Sequence, residues 1–112
     1  MFPVIQRRGA KLSQLQATQL INQGKSLILD VRSAEEFATG HLQNAKHIPL
    51  PELSTRFKEI EKSKTSTVIT VCEHGTRASS AASLLTKAGF EQVFILDGGV
   101  SAWKSQGLPT VK

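Results

Sequence analysis

Three short runs of apolar and branched residues are spaced along the chain, at positions 27–31, 67–71 and 92–96. Their apolar residues are largely adjacent to one another rather than alternating with polar ones. That pattern is typical of strands that are buried on both faces of a parallel sheet. Two weaker runs, at positions 10–12 and 46–48, predict two strands that flank them.

Helical patterns lie between the predicted strands. Two capping boxes, Ser13 with Gln16 and Ser33 with Glu36, predict two helix starts. Three further helices are predicted where apolar residues recur at helical spacing or cluster before a glycine: Leu53, Phe57 and Ile60; Ala78, Ala81, Ala82 and Leu85; Val100, Ala102 and Trp103. Strands that alternate with helices predict an α/β fold, in which a parallel sheet lies between helices on both faces.

The length of 112 residues allows one domain, which we assign to residues 10–112, after a basic flank over residues 1–9. The net charge is +5, but the first 25 positions hold four basic residues and no acidic one, whereas the rest of the chain has ten basic and nine acidic residues. The charge therefore predicts no nucleic-acid-binding face. The flank is either a solvated tail or, in a longer native chain, a segment beside a membrane anchor.

The chain has a single cysteine, Cys72. One cysteine excludes an intramolecular disulfide and an all-cysteine zinc site, and a lone thiol fits a reducing, cytoplasmic compartment. No apolar run approaches the roughly 20 residues that a membrane-spanning helix needs. We therefore expect no membrane span within these residues.

The segment around Cys72 carries the candidate chemistry. Cys72 ends a predicted strand, Gly75 and Arg77 follow it, and a helix is predicted to begin within about four residues. A loop that curls tightly before a helix points its N–H groups inward and binds an anion. Such surroundings favour a reactive thiolate. The alternative is that Cys72 is a small buried side chain with no chemical role.

Over residues 12–109 the sequence resembles the rhodanese family, in its small single-domain form. Three stretches carry the resemblance: Asp-Val-Arg, Glu-Phe, Gly-His and a closing Pro between positions 30 and 49; Cys-Glu-His-Gly-Thr-Arg at 72–77; and Leu-Asp-Gly-Gly-Val-Ser-Ala-Trp at 96–103, followed by Gly-Leu-Pro at 107–109. The resemblance implies a three-layer α/β/α fold with a five-stranded, mostly parallel sheet. It also implies a sulfurtransferase that carries sulfur as a persulfide on Cys72.

The resemblance also implies the reactants. The sulfur donor is expected to be thiosulfate or a persulfide, which a partner protein could carry, and the acceptor a thiol or cyanide. No metal or organic cofactor is expected. Related phosphatases have a histidine before the cysteine and five residues before the arginine, whereas here Val71 precedes Cys72 and four residues separate it from Arg77. The shorter loop favours sulfur over phosphate.

The loop residues receive provisional roles on this basis. Five backbone N–H groups are expected to surround the transferred sulfur, those of Glu73, His74, Gly75, Thr76 and Arg77. Arg77 either supports the thiolate and an anionic donor or ties the loop to neighbouring carboxylates. The Glu73 carboxylate either points to solvent or repels thiosulfate at the pocket mouth. His74 is either exposed or a proton shuttle.

Four residues outside the loop receive structural roles. Asp30 and Arg32 are expected to form an ion pair that braces the loop, and His41 to cap or pack rather than to bind a metal. Trp103 is expected to anchor the last helix in the core. A rival interpretation of the whole chain is a non-catalytic rhodanese-like module that binds a partner, although such modules often lack the cysteine.

Overall fold

Strands and helices alternate along the computed structural model, which describes residues 9–112. The predicted basic flank therefore lies outside the described residues, except for Gly9. The elements, in chain order, are β1 (Ala10–Leu12), α1 (Gln14–Asn22), β2 (Ser26–Asp30), α2 (Ala34–Ala38), β3 (Lys46–His47), a 3-10 helix (Leu50–Thr55), a second 3-10 helix (Phe57–Ser63), β4 (Thr67–Val71), α3 (Thr76–Lys87), β5 (Gln92–Leu96) and α4 (Gly99–Ser105).

The five strands form one sheet in the order β1-β5-β4-β2-β3. Every pairing is parallel, so the predicted parallel sheet is confirmed. β4 and β5 have the predicted bounds, whereas β2 begins and ends one residue earlier than its apolar run and β3 is one residue shorter. Between β1 and β2 the chain crosses from the β1 edge of the sheet to the position next to the opposite edge, which places β2 between β4 and β3.

Two apolar clusters cover the two faces of the sheet and make the three predicted layers. On one face, α3 and the 3-10 helices pack on the sheet through side chains that include Ala81, Leu85 and Leu53. On the other face, α1 and α4 pack through side chains that include Ala17, Val100 and Trp103. Trp103 is 6% exposed, and its indole N–H donates to the Pro109 carbonyl at 2.8 Å, which confirms its core position.

The helix predicted around Leu53, Phe57 and Ile60 is wrong in type. Two 3-10 helices replace it, and they are separated at Arg56, whose φ of −123° lies outside the helical range. Pro51, which has no N–H group, lies near the start of the first of them. The apolar spacing was nevertheless informative, because Leu53 and Ile60 are both buried.

Backbone pairing places the ends of β2 and β4 side by side. Asp30 is in register with Val71, and the Val31 N–H continues the ladder by donating to the Val71 carbonyl at 2.9 Å. The residues that follow these strands, Arg32 and Cys72, therefore meet at the carboxyl edge of the sheet, which is where ligands bind in open parallel sheets. Within residues 9–112 no helix is both long and apolar enough to cross a membrane.

Candidate active site

Cys72 lies directly after β4, at the base of a loop that leads into α3. The residue is 1% exposed, and its Sγ accepts hydrogen bonds from the N–H groups of Gly75 at 2.9 Å and Ala78 at 3.2 Å. Gly75 is the N-cap residue of α3 and has a φ of 111°, which explains why a glycine stands there. The Cys72 sulfur is therefore buried, and two backbone N–H groups donate to it.

The first turn of α3 adds to this environment. The N–H groups of Thr76 and Arg77, like those at the start of any helix, have no carbonyl partner within the helix. The helix dipole also places partial positive charge at this end. These N–H groups are therefore available to an anionic group bound beside Cys72.

The start of α4 holds the Cys72 loop in place from the other side. The Val100 N–H donates to the Cys72 carbonyl at 2.8 Å, and the Ser101 N–H donates to the Glu73 carbonyl at 3.0 Å. Gly99 has a φ of 63°, and a Cβ at this position would overlap both of those carbonyl oxygens. The glycine is thus needed for close approach as well as for its backbone conformation.

We expect Gly99→Ala to lower the free energy of unfolding by about 3 kcal/mol, because it adds steric overlap to backbone strain. Gly107→Ala is the matched control, since Gly107 has a φ of 77° but open space around the site of its missing Cβ. The control should cost only about 1 kcal/mol, the penalty for a left-handed conformation alone. Urea denaturation would compare the two variants, and equal losses would show that the loop does not press against Gly99.

Arg77 is bound to a carboxylate rather than aimed at the sulfur. Its Nη1 and Nη2 donate to Glu36 Oε1 and Oε2 at 2.7 and 2.8 Å, in a bidentate pair. Of the two roles left open for Arg77, the geometry is that of an arginine that ties the loop to a neighbouring carboxylate. The guanidinium and its hydrogen bonds hold the pKa of Glu36 at about 2, so this carboxylate stays ionised at neutral pH.

The predicted ion pair between Asp30 and Arg32 is confirmed, and it is fully buried. Arg32 Nη2 lies 2.9 Å from Asp30 Oδ2, and both side chains have no exposed surface. The same guanidinium donates to the Gly40 carbonyl at 2.8 Å and to Glu73 Oε1 at 3.1 Å. Burial lowers the pKa of Arg32, but the hydrogen bonds and charges of Asp30 and Glu73 outweigh it and raise the pKa. Neither of the two alternatives for Glu73 included this pair with Arg32, in which the Glu73 side chain is 30% exposed.

The exposed side of the loop borders a small polar cleft. Its volume is about 220 Å³, and His74, Gly75 and Thr76 line it together with Lys11 of β1 and Asp97 after β5. His74 is exposed, as one of its two interpretations expects. The cleft offers room for a small molecule beside the loop.

The two histidines of the early motif pack against one aromatic ring. The ring of Phe37 is stacked between those of His41 and His47, at centroid distances of 3.7 and 4.3 Å. His47 Nε2 also lies 2.8 Å from the Arg32 carbonyl, and His41 Nδ1 lies 3.0 Å from that of Phe37. Among residues 9–112, no three metal-ligating side chains come together in a cluster.

Sequence reasoning missed three contributors to the site. The first is Ala78, whose N–H donates to Cys72 Sγ although the predicted donors ended at Arg77. Glu36 was assigned only to a capping box, which does form around Ser33, but its carboxylate also binds Arg77 across 41 positions of the sequence. Gly99 was identified only as a member of the third motif, and no role was predicted for it. The paired glycines before a short helix were the available signal for close backbone approach, whereas no local signal connects Glu36 to Arg77.

Comparison with known proteins agrees with this geometry. The family model of the rhodanese-like domain matches residues 13–106. The uncharacterised Escherichia coli protein YibN is 37% identical over 98 residues, which are 87% of this chain and 68% of YibN. A rhodanese-related protein from Thermoplasma volcanium has a similar structure, with a TM-score of 0.80 and 27% identity over 91% of this chain and 97% of its own.

A larger protein contains the same kind of domain. The NAD-dependent persulfide reductase from A. fulgidus is 34% identical, with a TM-score of 0.68 over 85% of this chain. This chain covers only 16% of that reductase. With the family model matching most of its length, the chain belongs to the rhodanese-like domain family.

Proposed function

We propose that this domain is a sulfurtransferase that carries a sulfane sulfur as a persulfide on Cys72. The observation that carries the proposal is the position of Cys72 Sγ, which accepts two backbone N–H bonds at the carboxyl end of β4. Hydrogen bonds to a sulfur favour its anionic form, which here is the attacking Cys72 thiolate. The short loop between Cys72 and Arg77 suits a sulfur atom better than a phosphate.

In the first half-reaction the Cys72 thiolate attacks the outer sulfur of the donor. A new S–S bond forms on Cys72, the S–S bond of the donor breaks, and the leaving group departs with the electron pair of that bond. Thiosulfate would release sulfite, and a persulfide would release a thiol. The negative charge of the Cys72 persulfide lies on its outer sulfur, which the N–H groups of the loop and of the first turn of α3 would stabilise, while Gly75 and Ala78 donate to Sγ.

In the second half-reaction an acceptor takes the outer sulfur. A thiolate or cyanide attacks that sulfur, the S–S bond on Cys72 breaks, and Cys72 is restored as a thiolate. The product is a persulfide or thiocyanate. Because the nucleophile is the protein's own sulfur, the cycle uses no metal or organic cofactor, and turnover should survive EDTA. A thiol acceptor points to a reducing compartment such as the cytoplasm.

A structural relative supports persulfide chemistry on this kind of domain. The A. fulgidus protein is described as a persulfide reductase, although this chain matches only a small part of it. Its reductase activity and its use of NAD are therefore not transferred to this chain. A donor that carries its sulfur on a partner protein fits the same half-reaction, because only the outer sulfur has to reach Cys72.

The direct test is mass spectrometry of the purified domain after treatment with thiosulfate or a small persulfide. We expect a gain of about 32 Da on Cys72, the mass of one sulfur atom. Dithiothreitol should remove it, and cyanide should convert it to thiocyanate. If no donor adds sulfur to Cys72, the proposal fails, and the domain is better interpreted as a non-catalytic module that binds a partner.

A further inference from the structure

Five charged side chains on and beside the Cys72 loop are paired with one another, and the two others that line the adjacent cleft, Lys11 and Asp97, carry opposite charges. Arg77 is bound in a bidentate pair to Glu36, and Arg32 is bound to both Asp30 and Glu73. Two guanidinium groups thus face three carboxylates, and together the five groups carry one negative charge. The positive charge of each arginine is therefore compensated by a carboxylate.

The net negative charge of these five side chains should affect binding of the two classes of donor, thiosulfate and persulfides, differently. Thiosulfate is a dianion, and it releases sulfite, which is a dianion as well. A persulfide with an uncharged stem presents far less negative charge and releases a simple thiolate. A negative set of side chains in a partly buried site repels the dianion more strongly, because the Coulomb energy scales with the product of the charges.

We propose that Glu36 determines donor specificity by neutralising Arg77, so that the site prefers a persulfide over thiosulfate. This inference rests on the sulfurtransferase function proposed above and concerns which donor the same cysteine uses. In its pair with Glu36, Arg77 gives little net attraction to an anionic donor. Removing the Glu36 charge would leave Arg77 as a cation beside the loop.

The ionisation of both partners makes this pairing persistent at neutral pH. The hydrogen bonds from Arg77 lower the pKa of Glu36 from 4.5 to about 2, so the pair is complete above about pH 4.5 and is lost only as the pH falls towards 2. The pKa of Arg77 is raised chiefly by its hydrogen bond to Glu36, and the charges of Cys72 and Glu73 make smaller contributions in the same direction. Arg77 is therefore close enough to respond electrostatically to charge on Cys72.

The test compares two donors, thiosulfate and the persulfide of 2-mercaptoethanol, in the wild-type protein and in Glu36→Gln. Glutamine keeps the side-chain oxygen that accepts from the Ser33 N–H, so the capping box of α2 can still form. Glu35→Gln is the matched control. Glu35 is an exposed acid in the same helical turn, so its substitution changes the net charge equally without releasing Arg77.

The measured quantity is the ratio of kcat/KM for thiosulfate to kcat/KM for the persulfide. We expect Glu36→Gln to raise this ratio about tenfold, through the thiosulfate value, and Glu35→Gln to leave it unchanged. A ratio that does not change in Glu36→Gln, or that changes equally in both variants, would overturn the inference.

A salt series on the wild-type protein tests the same idea without any substitution. Between about 50 and 500 mM KCl, screening of like charges should increase kcat/KM for thiosulfate and leave the persulfide value nearly constant. A decrease with thiosulfate would show attraction, and a constant value would show no electrostatic discrimination; both would overturn the inference. Failure of the sulfurtransferase proposal has a different signature, because neither donor would then form a persulfide on Cys72.

Discussion

Cys72→Ser is expected to abolish sulfur transfer while leaving the domain folded. Cys72 is the only cysteine in the sequence, so no second thiol can replace it as the nucleophile. A serine hydroxyl is of similar size and can accept the N–H groups of Gly75 and Ala78 that now bind Sγ. Its oxygen cannot carry the sulfane sulfur through a persulfide intermediate.

The measurement is thiocyanate formation with cyanide as the acceptor, for each donor, together with the mass of the protein after donor treatment. The variant should show only the uncatalysed rate and no added sulfur. Ser80→Ala, an exposed substitution on α3, is the control for the effect of altering this helix. Turnover retained in Cys72→Ser would exclude the covalent mechanism, and a loss of cooperative unfolding would make the activity comparison uninformative about chemistry.

Local signals in the sequence predicted much of the fold. The runs that form β4 and β5 are continuous, apolar and branched, because these central strands are covered on both faces. The capping boxes that begin α1 and α2 are also local, since each involves residues three positions apart. The 3-10 helices were missed because apolar spacing reports which side chains are buried and does not distinguish one helix type from another.

The position of Cys72 was predictable for a similar reason. A strand end, a glycine and a helix start occupy only a few consecutive residues, so the loop could be interpreted from the sequence alone. The partners of the charged residues in and beside the loop could not be predicted from the sequence. Arg77 meets Glu36 and Arg32 meets Glu73, each pair 41 positions apart in sequence, because the sheet order places the end of β2 beside the end of β4.

Because β2 and β4 are neighbours in the sheet, Arg32 can link the ends of both strands. Of the residues that support the site, Arg32 therefore has the largest expected effect on the free energy of unfolding. Its guanidinium has no exposed surface and links Asp30 at the end of β2, the Gly40 carbonyl and Glu73 in the Cys72 loop. Substitution by methionine would remove the cation and leave Asp30 buried without its counterion. Breaking a buried ion pair on one side typically costs about 3–5 kcal/mol.

We therefore expect Arg32→Met to lower the free energy of unfolding by about 3–5 kcal/mol, a large share of the roughly 5–15 kcal/mol that such domains have. Arg56→Met is the matched control, because Arg56 also binds two carboxylates, Glu52 and Glu59, but remains 32% exposed. Its loss should be far smaller, since solvent already screens those pairs. Urea denaturation would measure the free energy of unfolding of both variants. Equal decreases would mean that the burial of Arg32 adds nothing to stability, and that the loop does not depend on this link between the two strand ends.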